Sequence, residues 1–485
     1  MKILPLLLPI CLFAGSAAVA QQFQVQYTAG AFAGPFTGRV LLFLNKDDRN
    51  PKGAMIDIQS FPCFAVDVKN VKPGVAVVFD DKAVGYPVPL SDIERGEYYV
   101  QAVWDRNLGG RAMSESPGNM YSAPQRVNVG KETHKVFRLQ CSEVVPGQEF
   151  HETELVKEMK VPSALLSRFC GKPVTVHAAV LLPKEYYKEP GRKFPLLVNV
   201  SGYGGDYHRY SGSTTAFGTI LDTIPTITLY LDGNCPGGHS VYANSDNNGP
   251  WGDALVKELL PAVEREFRCD GPPLLWGHSS GGWTVLWLQT HYPTVFGGCW
   301  SSSPDPVDFR SFQQVDLYAG DNMFYAKDSN ERMVATIAGS FPVATQKQAY
   351  GEERVIYRGE QMHSFNYVFS AKGADGRPVE ICDPVTGVID PACVEHWKKY
   401  DISLYLRSNW PSLEKDLKGK VRVTVGTRDN FLLNYAVHML DDEMKKLGTP
   451  FVFAYFPGDH FTVSTPEWWS AGMKFLEARY LATRQ

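Results

Sequence analysis

A Gly-x-Ser-x-Gly motif interrupts an apolar run of the sequence at residues 277–281, Gly-His-Ser-Ser-Gly. A serine at the centre of this motif occupies a sharp strand-to-helix turn that exposes its hydroxyl, and the flanking glycines leave room for the bend. Ser279 is therefore the predicted nucleophile for acyl-group chemistry. Ser280 does not fit this role, because it would place His278 at a position that requires glycine.

The residues on either side of the motif have the pattern that such a turn requires. Segment 272–276 is short, apolar and bounded by Gly and Pro, which is typical of a buried strand. Segment 283–288 remains apolar and ends near Pro293, as a buried helix does. Strand, turn and helix thus follow in the order of a nucleophile elbow, although an ordinary glycine-rich connection is the alternative.

A serine hydroxyl needs a histidine to accept its proton, and that histidine needs a carboxylate to hold its tautomer. On a strand–turn–helix scaffold of this kind, the acid and then the histidine follow the serine along the chain. His460 is the predicted base, because the turn Pro-Gly-Asp-His-Phe at 457–461 precedes the last predicted helix. His363 is the main rival. Structural roles are predicted for the other downstream histidines, His291, His396 and His438.

The acid is expected in the loop after the strand that ends at Val425, where Gly-Thr-Arg-Asp-Asn at 426–430 supplies Asp429. An aspartate here is also typical of a helix N-terminus, which is the alternative role. Asp305 and Asp308, beyond the preceding predicted strand, are the other candidates for the acid. Asp459 ranks behind them.

The oxyanion formed by attack on a carbonyl requires preorganised N–H donors. One is expected from the residue after the nucleophile, Ser280, and one from a glycine-rich loop after an early strand. The sequence Ser-Gly-Tyr-Gly-Gly at 201–205 fits that loop. The main-chain N–H of Tyr203 is the predicted second donor, with that of Gly204 as the alternative.

Composition excludes some classes of protein and favours others. The 485 residues are 44% hydrophobic and carry a net charge of −4, so nothing indicates a nucleic-acid partner. Residues 1–20 combine a lysine, an apolar run and a final Ala-Val-Ala, which predicts a signal peptide, a mature chain from Gln21 and a secreted or periplasmic protein. A retained membrane anchor is the alternative.

Eight cysteines remain after the predicted signal segment, and an even number in an exported chain favours disulfide bonds over metal sites. Cys382 and Cys393 enclose a short loop and are the first predicted pair. Cys299, within an apolar run, is predicted to be a buried free thiol. Neither Cys-x-x-Cys nor His-Glu-x-x-His occurs, so no metal or other cofactor is expected.

Two fold classes follow each other along the chain. Residues 21–150 alternate short apolar runs with Gly, Pro, Asn and Asp turns, which predicts an all-β, sandwich-like accessory domain for packing or substrate orientation, or less readily for carbohydrate binding. Residues 151–485 are predicted to form an α/β domain with a mainly parallel sheet, because strand and helix patterns alternate. Segment 304–419 interrupts that alternation and is predicted to be a lid-like insertion near the site.

Three sequence blocks resemble the Putative esterase family of α/β-hydrolases, which includes esterase D, feruloyl esterases, enterochelin esterases and mycolyltransferases. The blocks are 201–205, 239–252 and 277–281, and Asp429 and His460 follow them in order. The resemblance implies an α/β-hydrolase fold and serine-dependent acyl chemistry over most of the chain after Cys170. Many relatives begin the oxyanion loop with His-Gly, whereas this chain has Ser201-Gly202.

The sequence thus predicts a secreted serine carboxylic-ester hydrolase with the triad Ser279, His460 and Asp429 and an acyl-enzyme intermediate. Its expected substrate is a small-molecule or polysaccharide-linked ester, with no nucleic-acid partner and no membrane attachment once the signal segment is removed. Three alternatives remain open. They are a peptidase of prolyl-oligopeptidase type, an acyltransferase and an inactive binding protein of the same fold.

Overall fold

The structure is a computed structural model that describes residues 22–46, 62–130, 135–215 and 218–484. The predicted signal segment, residues 1–20, lies outside these ranges. Within them, no helix is both long enough and apolar enough to cross a bilayer.

Nine strands form one hydrogen-bonded sheet in the N-terminal part of the chain, named here the N-terminal sheet. They are β1 (Gln22–Tyr27), β2 (Phe36–Asn45), β3 (Cys63–Val71), β4 (Val77–Phe79), β5 (Val84–Tyr86), β6 (Gly96–Asp105), β7 (Met120–Ser122), β8 (Gln125–Val129) and β9 (Val136–Val144). Their order is β4-β1-β9-β7-β6-β2-β3-β5, and β8 also pairs with β6. All the pairs are antiparallel except β1 with β9.

The N-terminal sheet curls around its own apolar core. Strands β1 and β2 lie four positions apart in the sheet, which would separate them by about 19 Å if the sheet were flat. The ring centroids of Tyr27 in β1 and Phe36 in β2 are nevertheless 6.4 Å apart, and Trp104 of β6 contacts both rings. The prediction of a sandwich is therefore corrected to a single curled sheet, because pairing along β6 joins strands that a sandwich would divide between two sheets.

A second sheet, the central sheet, contains eight strands and follows in the chain. They are β10 (Val156–Pro162), β11 (Thr175–Leu181), β12 (Leu196–Val200), β13 (Ile227–Leu231), β18 (Leu274–His278), β19 (Gly298–Ser302), β22 (Val421–Gly426) and β23 (Val452–Phe456). The order is β10-β11-β13-β12-β18-β19-β22-β23, and all neighbours from β13 onward are parallel. Six short strands pair outside it: β14 (Asn234–Cys235), β15 (Gly238–His239), β16 (Asn244–Ser245), β17 (Gly249–Pro250), β20 (Met333–Ile337) and β21 (Phe341–Thr345).

Ten α-helices occur in the described ranges. They are α1 (Ala164–Cys170), α2 (Trp251–Ala254), α3 (Leu260–Glu266), α4 (Ser280–His291), α5 (Gln346–Ile356), α6 (Gln361–Phe369), α7 (Pro391–Trp397), α8 (Ile402–Leu417), α9 (Leu433–Lys446) and α10 (Pro466–Ala482). A π-helical segment, Leu255–Leu259, joins α2 to α3, so residues 251–266 form one continuous helix that is locally widened.

Helices cover both faces of the central sheet, because neighbouring residues of its buried strands point to opposite sides. Leu274 packs with Leu476 of α10, whereas the adjacent Leu275 belongs to the core that includes Leu286 of α4 and Leu440 of α9. The carboxyl ends of the parallel strands meet at one edge of the sheet. Loops from that edge carry the residues of the candidate site.

Segment 304–419 contains the β20–β21 hairpin and helices α5 to α8. Its last helix, α8, packs against α4 and connects β19 to β22, so it is the crossover helix that two parallel strands require. The excursion beyond an ordinary crossover therefore ends before α8. Helix α5 packs on the N-terminal sheet, where Val355 and Ile356 share a core with Leu41 and Phe43.

The predicted Cys382–Cys393 disulfide is absent, and both residues are free thiols. The loop between them is closed instead by main-chain hydrogen bonds, such as that from the N–H of Asp383 to the carbonyl of Val388 at 2.9 Å. The Sγ of Cys393 lies 3.4 Å from the Oγ of Ser370. Cys299 is a buried free thiol, as predicted.

Candidate active site

Ser279 joins β18 to α4 in a strained conformation, with φ 61° and ψ −127°. Residues other than glycine rarely adopt these backbone dihedral angles, so the surrounding structure must hold the bend. A Cβ at Gly277 would collide with the main chain of Gly281, and a Cβ at Gly281 would collide with the carbonyl of Val200. The two glycines of the motif therefore allow the turn to pack against the end of β12.

The loop 201–205, named here the oxyanion loop, lies directly beside Ser279. A Cβ at Gly202 would stand 3.2 Å from the Cβ of Ser279, and the N–H of Gly205 donates to the carbonyl of Gly202 at 3.1 Å. Gly204 has φ +84°, which favours glycine at this position of the turn. Tyr203 is thus held between two glycines next to the serine.

The N–H of Ser280 is the first of α4, and the first N–H groups of a helix have no acceptor within that helix. The partial positive charge at this helix end favours an anion nearby. The structure therefore places Gly202, the neighbour of Tyr203, and the first residue of α4, Ser280, next to Ser279.

Asp429 and His460 form a buried pair after the ends of β22 and β23. His460 Nδ1 lies 2.7 Å from Asp429 Oδ2, and the two residues are 3% and 0% exposed. A carboxylate only accepts hydrogen bonds, so Nδ1 of His460 is the donor in this contact. Asp429 Oδ1 also accepts the N–H of Phe431, and the Oδ1 of Asn430 accepts the N–H of His460 at 2.9 Å.

His278 connects this pair to the elbow. Its ring centroid lies 4.5 Å from that of His460, and its Nδ1 is 3.1 Å from the Oγ of Ser302. Burial, reinforced by the neighbouring His460, lowers the pKa of His278 to about 3. His278 is therefore neutral at physiological pH and adds no charge beside the pair.

Asp305, one of the other candidates for the acid, also lies at the site. Its N–H donates to the carbonyl of Ser279 at 3.3 Å, and its Oδ2 lies 3.3 Å from the Nε2 of Gln361 in α6. Gln361 Nε2 is also 3.4 Å from the Oγ of Ser280. Burial raises the pKa of Asp305 to about 6. A second buried carboxyl, less acidic than an ordinary aspartate, thus adjoins the elbow.

The other candidates serve local structure. Asp308 binds Arg310, and Asp459 caps the turn that contains His460 by accepting the N–H of Thr462. His363 is buried on α6 between Tyr357 and Tyr367 rather than beside the elbow. The remaining histidines lie where packing roles were predicted: His291 ends α4, His438 stacks on Tyr455 and His396 binds Asp246.

Some residues at the site were not predicted from the sequence. Asn430 follows Asp429 directly and could have been identified as a polar group of the same loop. Its Nδ2 donates to the carbonyl of Thr336 at 2.8 Å, which ties the β20–β21 hairpin to this loop. Gln361 and Arg111 reach the site from distant segments, and no local sequence pattern marks them.

Apolar rings lie beside the Asp429–His460 pair. Phe431 packs edge-on against His460, with 4.9 Å between ring centroids, and Phe461 is 68% exposed. Within the described part of the chain, no three His, Cys, Asp or Glu side chains form a group that could hold a metal ion.

The model of the family called Putative esterase matches residues 173–469, which is more than half of the chain. The chain belongs to this family. The matched region contains the elbow, the oxyanion loop and the Asp429–His460 pair. A protein of Arthroderma benhamiae called "Uncharacterized secreted protein" is 22% identical over 275 residues, covering 52% of this chain and 28% of that relative. The match thus spans less than a third of the relative's length.

Several solved structures are similar to this chain at low identity. A ferulic acid esterase is 14% identical, with a TM-score of 0.37, and the match covers 69% of this chain and 99% of that one. An S-formylglutathione hydrolase from Agrobacterium tumefaciens is 14% identical, with a TM-score of 0.37. The match covers 68% of this chain and 98% of that one. FphF, a fluorophosphonate-binding serine hydrolase of Staphylococcus aureus, is 13% identical, with a TM-score of 0.38. The match covers 67% of this chain and 98% of that one.

Proposed function

We propose that this protein is a serine carboxylic-ester hydrolase that acts through an acyl-enzyme. Ser279 Oγ attacks the ester carbonyl carbon while His460 Nε2 accepts its proton. The tetrahedral intermediate then expels the alcohol, which takes the proton from His460. Water, deprotonated by His460, attacks the acyl-enzyme and releases the acid and Ser279.

The observation that carries this proposal is the buried Asp429–His460 pair, with 2.7 Å between Oδ2 and Nδ1. The ring of His460 lies 4.5 Å from that of His278, which directly precedes Ser279 and its positive φ. The pair supports a fixed tautomer with Nε2 available as the base, and the carboxylate stabilises the imidazolium that forms. The strained turn supports an exposed, oriented hydroxyl.

The main-chain N–H groups of Tyr203 and Ser280 stabilise the negative charge that develops on the ester carbonyl oxygen. Preorganised donors of this kind are worth about 10²–10³ in rate each. The position of Gly202 against Ser279 and the place of Ser280 at the start of α4 support the assignment.

The substrate class that we propose is a small-molecule or polysaccharide-linked ester, met outside the cytoplasm. The exposed Phe461 and the neighbouring Phe431 support an apolar group on the ester near His460. The pattern of residues 1–20 and the secreted relative support export.

Steady-state hydrolysis of p-nitrophenyl acetate tests the proposal. Ser279→Ala is expected to lower kcat by about 10⁴–10⁶, and Asp429→Asn by about 10³–10⁴ because the histidine loses its fixed tautomer. Asp459→Asn is the matched control, since this neighbour of His460 only caps the turn. Full activity in Ser279→Ala, or equal losses in the two aspartate variants, would refute the proposal.

A further inference from the structure

Arg111 reaches the oxyanion loop from the N-terminal sheet, in the segment that follows β6. Its Nη1 donates to the Oη of Tyr203 at 2.6 Å, and its guanidinium carbon stands 4.2 Å from the centroid of the tyrosine ring. A Cβ at Gly204 would lie 3.4 Å from its Nη2. One side chain therefore contacts two consecutive residues of the loop.

The insertion segment 304–419 binds the same tyrosine from another side. Tyr203 Oη donates to the carbonyl of Gly359 at 2.6 Å, and Arg111 Nη1 donates to that carbonyl at 2.9 Å. Burial raises the pKa of the Tyr203 phenol, so it remains a donor at any pH at which the protein would work. Arg111, Tyr203 and Gly359 thus form a closed triangle of hydrogen bonds from three distant segments.

The segment that carries Arg111 is itself fixed. Arg358, next to Gly359, is 2% exposed and pairs with Asp105 at 2.6 Å. Its Nη2 donates to the carbonyl of Gly110 at 2.7 Å and to the Oγ of Ser116 at 3.0 Å. These contacts hold residues 105–116 against the insertion, so little freedom is left to the Arg111 backbone.

We propose that Arg111 is a positioning residue for the oxyanion loop and that the N-terminal sheet thereby forms part of the active site. This inference rests on the proposed function. Tyr203 is the one residue of Gly202-Tyr203-Gly204 with a side chain, so its ring and hydroxyl are the means by which that part of the loop can be held. Arg111 and Gly359 hold both, which keeps the Tyr203 N–H directed at the oxyanion beside Ser279.

Placement of such donors matters steeply, since a misplacement of about 1 Å can cost about 10²-fold in rate. The cost falls on the transition state, where the oxyanion exists, and much less on binding of the neutral ester. Loss of Arg111 should therefore lower kcat more than it raises KM.

The test compares Arg111→Ala with Arg106→Ala in the full-length chain. Arg106 lies in the same segment but stacks on Phe32 of the N-terminal part, 4.0 Å from the ring centroid. We expect Arg111→Ala to lower kcat for p-nitrophenyl acetate about 10–100-fold with KM changed less than about threefold. It should slow labelling by a fluorophosphonate to a similar extent, and millimolar guanidinium should restore part of the rate. Arg106→Ala should retain wild-type kcat.

A double-mutant cycle with Tyr203→Phe separates positioning from general stability. Tyr203→Phe keeps the main-chain donor but loses the hydroxyl, so Arg111→Ala should cost much less in that background than in the wild type. Wild-type kcat in a folded Arg111→Ala, or additive losses in the cycle, would overturn the positioning role while leaving the proposed function intact. The positioning role would also be overturned if added guanidinium restored no activity to Arg111→Ala and Arg106→Ala lost as much kcat as Arg111→Ala. Full activity in Ser279→Ala would instead refute the proposed function, and this inference with it.

Discussion

Two buried carboxyls near the elbow differ in their partners, and the difference assigns them different properties. Asp429 accepts hydrogen bonds from the ring of His460 and from the main-chain N–H of Phe431. Asp305 has the neutral side chains of Gln361 and Ser280 beside it, and burial raises its pKa to about 6. Asp429 therefore contacts a histidine ring, whereas Asp305 contacts only neutral side chains and is less acidic than an ordinary aspartate.

Asp305 should make the stability of the protein depend on pH. Its pKa is about 6 in the folded state against 3.8 for the ordinary value, so the folded state binds the proton more tightly. The stabilisation is complete below about pH 4 and is lost as the pH rises to about 6, at a cost of about 3 kcal/mol at neutral pH. We expect Asp305→Asn to unfold at higher urea concentration than the wild type at pH 7.5.

The same urea titration at pH 4 provides the control, because protonated Asp305 and asparagine carry the same charge. At pH 4 the difference in resistance to urea between the variant and the wild type should become small. A variant that is less stable than the wild type at pH 7.5, or a difference that does not depend on pH, would contradict the assignment.

At the scale of elements, the elbow depends on close packing between the β18–α4 turn and the end of β12. Gly281 lies so near the carbonyls of Val200 and Ser201 that no Cβ fits without a main-chain shift. The oxyanion loop begins at this same end of β12. Any shift in the elbow is therefore passed to the loop that faces Ser279.

Gly281→Ala should reduce both stability and activity. Overpacking of this kind costs about 1–3 kcal/mol, and displacement of the elbow should lower kcat at least tenfold. Gly147→Ala is the matched control, because nothing lies within 4 Å of its Cβ position and its φ is not positive. Urea unfolding and p-nitrophenyl acetate turnover measure the two effects, and a Gly281→Ala variant with wild-type stability and kcat would contradict the packing account.

At the scale of the whole molecule, the insertion connects the N-terminal sheet to the central sheet. Val355 and Ile356 of α5 bury apolar surface against the N-terminal sheet, and Arg39 donates to the carbonyl of Val355 at 2.9 Å. The β20–β21 hairpin contacts Asn430, in the loop that carries Asp429. The excursion predicted as a lid is thus packed between the two sheets.

Arg358→Ala should weaken this connection strongly. It would leave Asp105, 7% exposed, without its charged partner, and removal of one member of a buried pair costs about 3–5 kcal/mol. Differential scanning calorimetry should show a lower unfolding temperature. Arg126→Ala, which breaks an exposed pair with Glu97, should leave that temperature nearly unchanged. Equal shifts in the two variants would contradict the role of Arg358.

The central sheet could be predicted from the sequence because its signals are local. Strands β12, β13, β22 and β23 are short apolar runs, which is the local pattern that predicts buried parallel strands. Asp429 and His460 were predicted for the same reason, because both follow such strands. Their pairing required only that parallel strands end at the same edge.

Other features depend on contacts between segments that the sequence does not link. Arg111 carries no motif, and its meeting with Tyr203 depends on how α5 docks on the N-terminal sheet. The curl of that sheet depends on pairing along β6, and the predicted Cys382–Cys393 pair does not form, because the spacing of two cysteines in the sequence does not fix the geometry of their thiols. These contacts and pairings depend on tertiary packing, so local sequence patterns do not predict them.

The central claim is that Ser279 is the nucleophile of this chain. Incubation of the intact protein with a fluorophosphonate, followed by peptide mass spectrometry, tests it directly. The account predicts one covalent adduct on Ser279, loss of esterase activity in proportion to labelling, and no adduct in Ser279→Ala. An adduct on Ser280 or elsewhere, or full labelling of Ser279→Ala, would contradict it.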